Sequence, residues 1–559
     1  MEVKEIKIKQ IRQHLDEIIA QVDVQSKKGM KLHQVERCLF ASLLQLGFQL
    51  LEYYILSIQQ LLSVQGVPVD CEGKKMKNTG LRSRPYRSIF GQLSIARAKY
   101  YSSTDKSYYR LDEALGLPKS NYSYVLDDWL GYGATEVDFA QSAEQLERIL
   151  GHRLTGMQSQ RCSYRLSERV DDFYEQQAWE NVEDGTHLSV GFDGKGVPIR
   201  RSETQRVRES AVVRLSKGQK KGVKKEATVS LSSSFTPRPR EAQELLESLF
   251  CPAHEPHKHD EKHTWHEHKH LRAFLSDKVG AIRYGMDNLL RRDSSGKKPI
   301  IVLIDGNRAL EKAVRQVAEE KGIEHRIQAY VLDFIHLIEY VWKVANARWG
   351  EKHPSRLAWV RSQAALLLES QHLKVLQQWQ AILRQTTLSQ YQQDTVQRAI
   401  TYLTNHQHMV DYKACLQQGF PITTGAVESA CGHFVKSRME RNGMHWGKQG
   451  AQNMLDLRAV KKNGDWDNYL QRVHFTLSHL MLKFKQKAMT QEEYLQLAAE
   501  RWPELEALKA KGDFYTYEKR FAQIMKELEL TVLQAHLGKV SKDHRKKSPL
   551  PPGGGRHLW

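Results

Sequence analysis

The chain has 559 residues, 40% of them hydrophobic, and a net charge of +19 from 84 Lys and Arg against 65 Asp and Glu. That length buries several cores without disulfide staples, and the basic excess favours a polyanionic partner, because each neutralised phosphate releases a counterion. Six scattered cysteines with no CxxC pair exclude a zinc ribbon or disulfide framework and fit a reducing cytosol. No GxxxxGK[ST] stretch supports nucleotide use.

The start, MEVKEIKIKQ, has no apolar core, so no secretory signal is expected. Residues 1–65 read as two amphipathic helices broken near Ser26–Gly29. In the second, Ser42, Gln45, Gln49 and Glu52 form one narrow polar stripe in an apolar run from Cys38 to Leu62. That stripe reads as burial in a bundle or a dimer rather than a membrane span. A polar linker, CEGKKMKNTGLRSRP (71–85), follows, and FGQLSIARAKYY (90–101) alternates as a small β-hairpin does. Residues 138–176 give helix, turn and helix, with Gly151 as the break and Thr155 as the N-cap. As a helix-turn-helix, the second helix would present Gln158, Gln160, Arg161 and Arg165 to DNA; a helical hairpin with a solvated face is the alternative.

From Glu180 strands take over. HLSVGFDGKGVPIRR (187–201) and KEATVSLSSSF (225–235) read as neighbours in one sheet. Between them lie ten bases, among them Arg200, Arg201, Lys220 and Lys221, opposed by Glu203 and Glu209. They form either a solvated loop or a track for phosphates. Residues 252–270 hold seven of the 24 histidines at no fixed spacing, which reads as a polar loop rather than a metal site. A buried strand, KPIIVLIDG (298–306), a helix at 307–321, the strand RIQAYVLD (326–333) and another helix give the α/β signature. Residues 345–415 read as helical, as does most of 424–540, and the basic Pro/Gly-rich tail 541–559 as disordered.

Three acids share one kind of address. Asp193 lies in or at the end of an alternating strand. Asp305 ends an aliphatic run, where a carboxylate is costly unless paired or metal-bound. Glu428 opens a helix after a Gly-containing turn. Two strand-end aspartates and a helix glutamate can converge at the edge of a parallel sheet. There they could hold two Mg²⁺ ions roughly 3.5–4 Å apart for in-line attack on a phosphodiester. Asp333 ends a strand, and His336 follows on the same helical face. The pair is either an N-cap with a polar first turn or a group that orders the site and handles protons.

The segments FDGKGVPIR, VLIDGN, LDFIHLIEYVW, TTGAVESACGHFVKSRMERNGMHWGKQGAQNML and GDWDNYL occur in this order. Together with FGQLSIARAKYY and LDEALGLP they resemble bacterial insertion-sequence transposases of the DDE class, specifically the ISKra group, over most of residues 86–470. The resemblance implies an α/β fold with large all-α parts: an RNase H-like mixed sheet interrupted by an all-helical insertion and preceded by helical DNA-binding or oligomerisation modules. Asp193, Asp305 and Glu428 then match the DDE triad, binding Mg²⁺ or Mn²⁺, and Asp333 and His336 match an accompanying Asp-x-x-His motif.

The expected organisation is an N-terminal dimerisation region (1–70), a DNA-binding module (86–180), the first catalytic part (181–344), the insertion (345–420), the second catalytic part with C-terminal helices (421–540) and the tail. The implied partners are double-stranded DNA, both terminal inverted repeats and target, and further copies of the chain, with no membrane and a cytoplasmic, nucleoid-associated location. Two departures stand out. The cysteine-rich knuckle that follows the Tyr-Tyr pair in related chains is missing from YYSSTDKSYY. The base that many DDE enzymes place seven residues after the glutamate is here Val435, flanked by Lys436 and Arg438. With Arg441 and Trp446, a candidate for stacking on an unpaired base or for the core, these complete the expected DNA contacts.

Overall fold

Gly29, at φ +61, divides the helical N-terminus into α1 (Glu2–Lys27) and α2 (Leu32–Ser63). They belong to a computed structural model that describes residues 2–104, 106–177, 185–200, 223–250, 266–293, 295–384 and 388–473. The chain divides into two units, the first containing Met1–Tyr124 and the second Val125–Arg472. The first unit thus takes in the expected N-terminal region and the beginning of the module expected at 86–180.

In the first unit, α1 lies along the polar stripe of α2. Lys7 pairs with Glu52 at 2.5 Å, and His14 shares a hydrogen bond with Gln49 at 3.0 Å. A second row of α2, Phe48, Leu51, Ile55, Ile58 and Leu62, packs on Leu93 and Ile95 of a three-stranded antiparallel sheet. That sheet is β1 (Lys77–Ser88), β2 (Gly91–Ser102) and β3 (Lys106–Tyr108), followed by the short α3 (Arg110–Ala114). The linker expected at 71–85 is thus largely strand. Most of β1 is exposed and its register comes from pairing with β2, so its composition carries no alternating signal. By length and composition α2 could cross a membrane, but α1 and the sheet cover two of its faces.

The second unit opens with α4 (Tyr124–Ala134), α5 (Phe139–Leu150), α6 (Gly156–Ser167) and α7 (Val170–Gln176). Gly151 stops α5 in the left-handed region, and Thr155 caps α6 in a reciprocal box with Gln158, both as the sequence indicates. The sheet follows: β4 (His187–Ile199), β5 (Val223–Phe235), α8 (Ala242–Phe250), β6 (Glu267–Leu275), α9 (Lys278–Arg292), β7 (Ile300–Ile304), α10 (Arg308–Glu320) and β8 (Ile327–Leu332). Its order is β6-β5-β4-β7-β8, with β4, β5 and β6 antiparallel and β7 and β8 parallel to β4. This is an α/β fold built on a five-stranded mixed sheet.

The histidine-rich tract needs a correction. Its end is β6, where His270 is buried, because pairing with β5 supplies the order that composition does not. Residues 251–265 lie outside the described residues, as do 201–222 and 474–559, so the expectations for the basic run and the C-terminal helices and tail fall there.

Helix α11 (Phe334–Trp349) leads from β8 into the insertion, α12 (Ser355–Leu368), α13 (His372–Leu383), α14 (Gln390–His406) and α15 (Tyr412–Gln417). Its core, with Trp379 fully buried, is continuous with the core of the sheet. The chain then returns through α16 (Gly425–Ala430), a π-helical turn (Cys431–Lys436) and α17 (Lys448–Lys462). Along the sheet edge, Gln452 of α17 bonds Leu275 N and Ala273 O of β6 at 2.8 and 3.0 Å. Asn463 bonds Leu271 N and O in the same way. Such side-chain amides occupy backbone groups that an open edge would offer to another chain.

Candidate active site

Strands β4 and β7 run parallel, pairing Leu188 with Ile300 through to Gly191 with Leu303. Asp193 and Asp305 each lie two residues beyond that last pair, so the two carboxylates stand at matching heights on neighbouring strands. Strand alternation puts Leu188, Val190 and Phe192 in the core and turns Gly191 and Asp193 to the other face. On that face α16 approaches closely: a Cβ built at Gly191 would lie 3.3 Å from Cγ1 of Val427. The missing side chain lets the helix sit on the strand and brings Glu428, the next residue, towards Asp193.

Asp305 is half-buried. Burial pushes its carboxyl above the usual range, helped by the charge of Asp193, while the Asn307 amide and His336 act the other way. Asn307 N donates to Asp305 Oδ1 at 3.0 Å, and the Asn307 side chain caps α10 through Ala309 N and Leu310 N. The motif VLIDGN is therefore a strand end, a presented carboxylate, a left-handed glycine and a helix cap.

Asp333 is fully buried at the start of α11, where Oδ1 accepts from Ile335 N at 2.8 Å and His336 N at 3.3 Å. The Thr424 hydroxyl bonds Asp333 Oδ2 and lies 3.3 Å from Glu428 Oε1. Glu428 is pushed up by desolvation and then by the charges of Asp333 and Asp193. The charge of Asp193 is thus felt at both Asp305 and Glu428. Asp333 is thus the N-cap of α11, and the Thr424 hydroxyl ties it to the Glu428 turn.

His336 stands edge-on to Tyr340 and Tyr402, with centroids 5.7 and 5.9 Å away, and 3.8 Å from Glu339. The two tyrosines stack at 4.0 Å. Tyr402, from α14 in the insertion, donates its hydroxyl to the backbone carbonyl of Asp305 at 2.9 Å. Cys431, one turn after Glu428, is buried, and desolvation together with neighbouring Asp193 raises its thiol. The sequence did not single out Tyr340, Tyr402, Thr424 or Cys431. Only Thr424 and Cys431 carried a signal, by their place beside Glu428.

Among the described residues, no three His, Cys, Asp or Glu side chains lie close enough to hold one metal ion together. The donors are the hard carboxylate oxygens of Asp193, Asp305 and Glu428. That set fits Mg²⁺ or Mn²⁺, which take one or two protein carboxylates and complete their shell with water and phosphate.

The expected DNA contacts divide. Lys436 is exposed, while Val435 and Arg438 are buried. The π-helical turn uses an extra residue, so the face that position seven would show in an α-helix passes to position eight. Arg438 is a correction: it lies between Phe139 and Trp446, Nε donates to Ala134 O at 2.7 Å, and burial lowers its pKa to about 10. Trp446 takes the second of its two readings, a core residue whose Nε1 donates to Met439 O at 3.0 Å. Arg441 is exposed and contacts Glu136 O at 3.3 Å, and Arg200 is exposed with Nε on His445 O at 3.0 Å. Arg201, Lys220 and Lys221 lie outside the described residues.

On α6 only Arg161 is open to solvent among the four proposed readers. Gln158 serves the cap, Gln160 bonds Tyr164, and Arg165 is forked onto Asp127 at 2.6 and 3.2 Å. Three of the four side chains proposed to read DNA are thus held by neighbours within the chain, and Arg161 alone is exposed.

No family model matches the chain, and no curated protein matches it. One solved structure aligned to it is a Drosophila P element transposase strand transfer complex, at 8% sequence identity and TM-score 0.30, covering 63% of this chain and 94% of that one.

Proposed function

We propose that the chain is a DNA transposase of the DDE type, which binds the terminal inverted repeats of its own element and catalyses strand cleavage and strand transfer. The observation that carries this reading is the approach to Asp193, within β4, of Asp305 just past the end of the parallel strand β7 and of Glu428 on α16. The resemblance of its motifs to the ISKra group supplies the reaction, and the net charge of +19 suits a double-stranded DNA substrate.

Asp193, Asp305 and Glu428 would hold the Mg²⁺ or Mn²⁺ ions, which activate an attacking oxygen and stabilise the leaving one. The protein's own part is to gather like charges that a bound cation relieves, and to keep them in place through Gly191, Thr424 and Tyr402. Lys436, on the exposed face beyond Glu428, holds a DNA phosphate next to the site. The chain works as an assembly of copies that brings two element ends together.

The test is a nicking and joining assay on labelled duplexes made from the DNA flanking the gene, with Mg²⁺ or Mn²⁺, beside an Asp305→Asn control. Metal-dependent cuts at the repeat boundary followed by joined products are expected, both absent from the control. Cuts without joining would make it a nuclease, and specific binding without either would make it a DNA-binding regulator.

A further inference from the structure

Helix α2 shows three lengthwise faces, and two are accounted for. The polar stripe meets α1, and the row from Phe48 to Leu62 meets the sheet. The third carries Phe40, Leu43, Leu50, Tyr54 and Leu61, each between 46% and 59% exposed. These five are separated by 3, 7, 4 and 7 residues, so all fall on the two apolar positions of one heptad register, which Ser57 and Gly47 complete, the Phe90 ring of the same chain lying over Gly47. At about 1.5 Å per residue the lane runs for roughly 30 Å.

Charge selects among occupants. From Cys38 to Ser63 the one charged side chain is Glu52, and Lys7 holds it. A polyanion therefore finds nothing to bind, whereas a second copy of the same neutral row meets no like charge. Crossing a bilayer would carry α1, with Lys4, Glu5, Lys7 and Lys9, into hydrocarbon. Size agrees with self-association. Phe40 and Tyr54 each leave roughly 100 Å² in water, half of what an aromatic side chain buries. With the leucines between them, two copies approach the roughly 1,000 Å² expected of a specific interface.

We propose that this lane is the surface on which two copies of the chain associate, α2 against α2, as a two-stranded coiled coil. The proposal gives a location to the assembly part of the proposed function and leaves its chemistry aside, so Asp305→Asn would not disturb it.

Sedimentation equilibrium of the full chain at micromolar concentration should give twice the 64.6 kDa chain mass. Leu43→Glu and Leu50→Glu should each weaken the dimer by more than about 30-fold, as loss of a central apolar anchor does. Both positions are solvent-exposed in one copy, so helix content and melting of the diluted chain should be unchanged. Met157→Glu, at an exposed apolar position in the other unit, should leave the dimer intact. A monomer throughout the micromolar range, or a dimer that survives both lane substitutions, would overturn the proposal. So would flotation of the wild-type chain with phosphatidylcholine vesicles that Leu50→Glu abolishes, which would assign the lane to lipid.

Discussion

The hydroxyl of Tyr402 donates to the backbone carbonyl of Asp305, joining a helix of the insertion to the strand end that presents a site carboxylate. The same ring stacks on Tyr340 and crowds Gly306, whose φ of +87 lets the chain turn beneath it. The insertion therefore acts on the site as a fixed wall. Removing the hydroxyl should loosen the carboxylate rather than the fold. Tyr402→Phe is expected to cost about 1 kcal/mol of stability and roughly tenfold in cleavage rate, with repeat-DNA affinity unchanged. Single-turnover cleavage beside a binding titration would check it; an equal loss of affinity would mean that Tyr402 touches DNA instead.

Gly191 is the second point of control. Alanine there would have to push Val427 by a few tenths of an ångström, and valine by more. Overpacking costs about 1–3 kcal/mol, and the displaced residue adjoins Glu428. Gly191→Ala should fold, bind DNA and cleave at least about tenfold more slowly. Gly194→Ala, three residues along, should not reproduce the pattern, because its neighbour is the flexible Glu226 side chain.

Acidic groups gathered without a counter-ion oppose folding, so the site should be a source of strain until a cation arrives. Asp305→Asn removes a charge that Asp193 opposes. In the absence of metal its melting temperature should equal or exceed that of the wild type. Adding Mn²⁺ should raise the melting temperature of the wild type, as any ligand of the folded state does, and leave the variant unmoved. Cleavage should fall by at least about a hundredfold. Equal stabilisation of both proteins by Mn²⁺ would place the ion elsewhere.

Lys436 and Arg438 lie two residues apart and should fail differently. Lys436→Ala is expected to weaken DNA binding and flatten its salt dependence by about one phosphate contact, with stability unchanged. Arg438→Ala empties a fully buried site between two aromatic rings and should cost about 3 kcal/mol or more. Urea titration alongside a salt series of binding constants separates the two.

Acid should weaken the second unit through two histidines. Burial lowers His266 to about 4 and His270 well below its ordinary 6.5. His266 Nδ1 shares a hydrogen bond with the Ser233 hydroxyl at 2.9 Å, and His270 bonds Tyr284 at 2.7 Å. Both are neutral when folded and protonate readily when unfolded. The stability they contribute is present above pH 6.5 and lost as pH falls from there through about 4. Asp456 runs the other way: burial raises it to about 6, so its contribution is lost as pH rises from 3.8 through 6. The measurement is therefore a difference, the urea midpoint of wild type minus His266→Gln between pH 4 and 7. It should shrink by about 2 kcal/mol equivalent toward the acid end, and a constant difference would leave His266 untitrated.

The strand end at Asp305, the caps at Thr155 and Asp333 and the breaks at Gly29 and Gly151 could be read directly, because each depends on residues within a few positions of itself. Strand β1 and the histidine-bearing β6 could not, since their order comes from ladders to partners whose identity composition does not disclose. The DNA contacts divided by the same rule. A basic or aromatic residue reads alike in sequence whether it faces solvent or sits, like Arg438 and Trp446, in a core.

The sequence by itself determined the residue types of the site, their order and the local turns that present them, all matters of short-range steric and hydrogen-bond preference. Only the tertiary structure decided that Asp193 and Asp305 stand level, that Gly191 admits the Glu428 helix, and that Tyr402 reaches back nearly a hundred residues to hold the strand end. These are contacts between distant segments, set by which faces can bury together, and the spacing of residues along the chain does not encode them.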